Sequence, residues 1–105
     1  MTKVTFRVAD ELLAGFHIKG HSTTSAGDET GRLVCSAISS AAYMTANTIT
    51  EIIGAQADIQ VSEGEMSLHL KNVFEGCLDI LSGFMLHIEQ LSNQYPDYIE
   101  LTMEV

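Results

Sequence analysis

Apolar residues recur at every second position in five short stretches of this chain and at every third or fourth position in two long ones, and the order of these two periods fixes the fold class. Val4, Phe6 and Val8 alternate with polar residues, as do Ala14, Phe16 and Ile18. If the two runs pair antiparallel, the register that sets Val4 opposite Ile18 sets Phe6 opposite Phe16, and the hairpin has one apolar face with its loop around Ala9 to Leu13. Residues 33 to 53 carry Leu33, Ala37, Ile38, Ala41, Met44, Ile49, Ile52 and Ile53 at helical spacing, and Gly54 is placed to end that helix. A second hairpin follows: the two-residue turn Glu63-Gly64 aligns Val61 with Met66 and Ile59 with Leu68. Asn72 with Glu75 makes a capping box, after which Phe74, Cys77, Leu78, Leu81, Phe84, Met85, Ile88 and Leu91 form a second helical stripe. Pro96 blocks its continuation, and Ile99, Leu101, Met103 and Val105 alternate in a last strand.

The order is therefore ββαββαβ. Five strands with one apolar face and two amphipathic helices predict an α+β fold, a two-layer α/β sandwich with a five-strand sheet, although strand order is not readable from sequence. At 105 residues, the chain has room for one domain with one core, spanning 1–105. Sheet edges left at the last strand and the outer hairpin make a homodimer plausible.

Charge and composition narrow the partners. A formal charge of -9 with only five Lys and Arg repels nucleic-acid phosphates, which argues against direct nucleic-acid binding and favours a basic protein partner. The opening MTKVTFRVAD alternates instead of forming an apolar block, and no run of about eighteen apolar residues occurs, so neither a signal peptide nor a membrane span is expected and the cytoplasm is the default compartment. Two cysteines do not make a disulfide framework, and each must be read on its own as a thiol.

Chemistry concentrates on one loop. Strand 2 ends at Gly20-His21, and helix 1 must run back over the sheet to bury its stripe, so its start, with Cys35, comes to the same end of the sheet as His21. A thiol in the first turn or so of a helix is favoured as thiolate by unpaired N–H groups and the dipole, and a neighbouring imidazole would stabilise it further and later protonate a leaving amine. The N–H groups around Cys35 and Ser36 could serve as an oxyanion hole. Gly20 lets the backbone approach closely, and the Ser-, Thr- and Gly-rich segment from Ser22 to Gly31 suits a mobile cover, poorly ordered without substrate. Ser22, Ser36 and Ser39, with Gly20, are candidate substrate-binding residues; the small residues of Ser-Ala-Ile-Ser-Ser-Ala-Ala also allow close helix packing, and both uses are compatible.

These residues resemble a known family, the ribosomal-processing cysteine proteases (Prp). Gly20-His21 at a strand end, the helix opening Leu33-Val34-Cys35-Ser36-Ala37-Ile38-Ser39 and the order of elements over essentially the whole chain carry the likeness. The resemblance implies a small homodimeric cysteine endopeptidase with His21 and Cys35 as its catalytic pair. It would remove a short N-terminal extension from a large-subunit ribosomal protein precursor near the peptidyl transferase centre, without a cofactor. The chain departs from the family pattern at Arg32, three before the cysteine, where an acidic residue is common, and in a loop a residue or two longer. Asp28 or Glu29 could orient the imidazole instead, or the pair could act as a bare dyad.

Plainer readings compete. Cys35 alone is most simply a small buried residue, and His21 alone a turn residue; Cys77, inside the second stripe, reads as core, and His69 and His87 as surface. A zinc site of His17, His21 and Cys35 lacks CxxC or HExxH spacing, and His17 points to one side of its strand, so no metal is expected. Two rival functions remain: a catalytically silent dimeric interaction module binding a basic ribosomal protein or assembly factor, and a thiol-based redox or metal sensor.

Overall fold

The computed structural model describes residues 1–21, 27–72 and 75–105, so Ser22 and Phe74 lie outside the described residues. Strands β1 (Thr2–Ala9) and β2 (Leu12–Lys19) form the first hairpin, followed by helix α1 (Glu29–Asn47) with a wider π-helical continuation over Thr48–Ile53. Strands β3 (Ala57–Ser62) and β4 (Glu65–Leu70) form the second hairpin, and α2 (Glu75–Gln94) leads to β5 (Ile99–Glu104). The sheet order is β3-β4-β2-β1-β5, antiparallel throughout except for the parallel pairing of β1 with β5. The fold is α+β, with the helices on one face of a five-stranded mixed sheet.

Both hairpin registers follow the apolar alternation. Val4 pairs with Ile18 and Phe6 with Phe16, across a two-residue turn in which Asp10 and Glu11 both take positive φ, as the twist of paired strands favours. Val61 pairs with Met66 and Ile59 with Leu68. The inward rows meet the helices in a core where Phe6, Phe16 and Phe84 pack as a tilted and edge-on aromatic trio, with ring centroids 4.9 to 6.4 Å apart. Val34, Ile38, Ala42 and Ile49 fill it from the first helix, and Cys77, Leu81 and Ile88 from α2.

Two expectations need correction. The first helix starts at Glu29, four residues earlier than the apolar stripe indicates, because the Asp28 carboxylate caps it by accepting the Gly31 N–H at 2.9 Å; Thr30 and Gly31, poor helix formers, hide that start. The segment predicted as a cover from Ser22 to Gly31 therefore ends in helix, and its residues 22–26 lie outside the described residues. The apolar face of the second hairpin forms as expected but is only half covered: Met66 and Leu68 are buried, and Ile59 and Val61 on the outermost strand remain 39 % and 54 % exposed. The other edge strand behaves alike, with Ile99 buried and Met103 exposed.

Candidate active site

The pairing of β2 with β4 decides the geometry of the site. It brings the Glu63-Gly64 turn beside the end of β2, where the Gly20 N–H donates to the Gly64 carbonyl at 2.8 Å. His21 follows at once, its carbonyl accepting from the Met1 nitrogen at 2.8 Å. A side chain at Gly20 would put its Cβ 2.9 Å from the Met1 carbonyl oxygen, so the close approach expected of this glycine is to the residue that leads into β1.

On the other wall stands α1. Cys35, Ile38, Ser39, Ala42 and Tyr43 recur at positions three and four apart, so they share one helix face. That face and the strand ends enclose a cleft of about 230 Å³, lined on the sheet side by Ile18, Gly20, His21, Val61, Gly64 and Met66. His21 and Cys35 thus open onto the same space, with the imidazole exposed and the thiol half-buried. Its floor is apolar and its rim carries the exposed Val61 and Tyr43. An extended polypeptide segment could lie here with a carbonyl beside the sulfur.

Gly20 and Ser39 line this cleft with the pair. Ser36 faces a separate shallow depression with Glu29, Arg32 and Leu33, a quarter-turn around the helix. Because the helix begins at Glu29, Cys35 sits in its second turn and the amides of Cys35 and Ser36 belong to the helical ladder. They are not the unpaired helix-start donors expected from sequence. Asp28 is engaged as the helix cap, with the Tyr98 hydroxyl 3.4 Å from the same Oδ1. Glu29 lies on the Ser36 side.

The remaining histidines and Cys77 are elsewhere. Cys77 is fully buried in the core and neither cysteine forms a disulfide. His17 is on the opposite sheet face, its Nε2 2.6 Å from Glu65 Oε2. His69 shares that face with Arg7, whose Nη1 lies 2.9 and 2.7 Å from the two ring nitrogens. Burial first, and then the Arg7 charge, hold the His69 pKa below its ordinary 6.5. Among the described residues no cluster of three or more His, Cys, Asp or Glu could hold a metal ion, and no helix is long and apolar enough to cross a membrane.

Sequence reasoning missed Tyr43, Val61 and Gly64 as cleft residues. Tyr43 was in reach, being eight residues, just over two turns, beyond Cys35. Val61 and Gly64 depend on the β2–β4 pairing, which no local pattern reveals.

Comparison with known proteins agrees with this architecture. Two crystal structures of the ribosomal processing protease Prp from Staphylococcus aureus, one with a substrate peptide and one with a covalently linked product peptide, superpose with TM-scores of 0.88 at 18% identity, covering 99% of this chain and all of theirs. A Streptococcus mutans protein superposes with a TM-score of 0.87 at 21% identity, covering 99% of this chain and 94% of its own. At such identities the likeness establishes the fold. No curated protein matches the chain in sequence. The sequence model of the family described as "Cysteine protease Prp", however, matches residues 1–100, and the chain therefore belongs to the Prp cysteine protease family.

Proposed function

We propose that this protein is an endopeptidase that removes the N-terminal extension of a large-subunit ribosomal protein precursor in the cytoplasm, acting as a homodimer, with Cys35 as nucleophile and His21 as general base and acid. The observation that carries the reading is the shared cleft: a half-buried thiol on a helix face and an exposed imidazole on a strand end open onto one apolar-floored space.

The chemistry uses only these two side chains and water. His21 takes the Cys35 proton, and the thiolate sulfur attacks the scissile carbonyl carbon. The C–N bond breaks as the imidazolium returns the proton to the leaving amine, which leaves a thioester on Cys35. Water, deprotonated by the imidazole, then attacks the thioester and releases the acid and the thiol. The exposed Val61 and Tyr43 at the rim favour apolar side chains near the bond cut.

The test is incubation with the ribosomal protein precursor from the same organism, followed by intact mass measurement. Wild type should release one N-terminal fragment. Cys35→Ser should keep the fold and bind the precursor without cutting it, because a hydroxyl is far less acidic and nucleophilic. An intact precursor after prolonged incubation with wild type would refute the reading.

A further inference from the structure

The second hairpin turn meets the histidine directly. A Cβ built on Gly64 would stand 2.8 Å from His21 Nε2, 3.4 Å from Cε1 and 3.5 Å from Cδ2, so the imidazole edge occupies the space any side chain at position 64 would need. Gly64 also has φ +73, which L-residues seldom adopt. Its carbonyl holds the Gly20 amide, so the same residue fixes the main chain just before His21 and abuts the ring itself. The imidazole is exposed, and a ring free to rotate would hold no single alignment with the thiol.

We infer that Gly64 is the positioning residue for the His21 imidazole, the missing side chain forming a seat that sets the ring toward Cys35. The inference rests on the reading of His21 as the catalytic base. Gly54 supplies a matched control: it has φ +79, yet a Cβ there would meet nothing within 4 Å. An alanine at either site imposes similar backbone strain, and only the one at 64 collides with the ring.

The experiment compares wild type with Gly64→Ala, Gly64→Asn, Gly54→Ala and His21→Ala, each checked by thermal melting. Asn tolerates positive φ, so its variant keeps the test open if the alanine one unfolds. Three quantities are read: kcat and KM on a peptide spanning the precursor junction, the pH dependence of Cys35 alkylation by iodoacetamide, and the His21 ring resonance by NMR. Gly54→Ala should melt earlier and leave all three unchanged. The Gly64 variants should shift the His21 resonance, move the alkylation profile toward that of His21→Ala, and lower kcat about a hundredfold with KM unchanged, as misplacement of a reacting group by about 1 Å does. A folded Gly64 variant with wild-type kcat overturns the positioning role while leaving His21 as base. If His21→Ala cleaves and alkylates like wild type, the catalytic reading of His21 fails, and the positioning role with it.

Discussion

The Tyr98 hydroxyl lies 3.4 Å from the Asp28 carboxylate oxygen that accepts the Gly31 N–H, so one side chain joins the entry of β5 to the start of the helix bearing Cys35. Asp28→Ala should lower stability by about 1 kcal/mol through loss of the cap, read as a lower urea midpoint at unchanged m-value.

The same pair makes the alkaline limb of stability informative. Burial, and then the Asp28 carboxylate, raise the Tyr98 phenol above its ordinary 10.0. The folded state therefore holds the phenolic proton more tightly than the unfolded chain. This contribution is complete below the unfolded value and is lost as pH rises through the raised folded value. Asp28→Asn should bring the phenol down and shift that loss to lower pH. Difference titration at 295 nm against Tyr98→Phe measures it.

His69 sets the opposite, acid dependence. Its pKa is depressed, so the folded state resists a proton that the unfolded chain accepts, and stability falls as pH drops from 6.5 through the lower folded value. Arg7→Leu should raise the His69 pKa and soften the acid loss, because it removes the second-largest cause of the depression and leaves the burial in place. NMR titration of the ring protons checks the direction.

Two core substitutions on α2 should separate by size. Cys77→Ala removes one buried sulfur and should cost about 1 kcal/mol with precursor cleavage intact. Phe84→Ala takes away the ring that meets both Phe6 and Phe16 and should cost about 3–5 kcal/mol. Chemical denaturation of both variants gives the two values; a turnover defect in well-folded Cys77→Ala would contradict its placement as packing.

The two serines of the first helix should also part company. Ser39→Leu projects bulk into the cleft beside Cys35 and should raise KM for the precursor peptide, whereas Ser36→Leu adds bulk to the separate depression a quarter-turn around the helix and should leave KM within about twofold of wild type. Equal effects of the two would place substrate across both faces.

Local pattern carried the hairpins because a period of two and a two-residue turn together leave one register: Phe6 against Phe16 and Val61 against Met66 need nothing from the rest of the chain. That His21 and Cys35 border one cleft was legible too, since a helix returning over the sheet must begin near where the strand ended. The helix start at Glu29 was hidden, because Asp28 caps residues whose own propensities speak against a helix. The seat under His21 was hidden for a different reason. It joins residues 21 and 64 through the pairing of β2 with β4, and nothing between them in sequence encodes which strands become neighbours.

The parallel pairing of β1 with β5 has a kinetic meaning. Thr5 bonds Thr102 at 2.9 Å across 97 residues, so one side of β1 stays unpaired until β5 has been synthesised. Closing so long a loop carries a large entropy cost that is recovered only when β5 docks, which slows folding relative to a chain built from local contacts. On the ribosome, the two hairpins and both helices can form while one edge of β1 is still open, and emergence of residues 99–104 completes the five-stranded sheet.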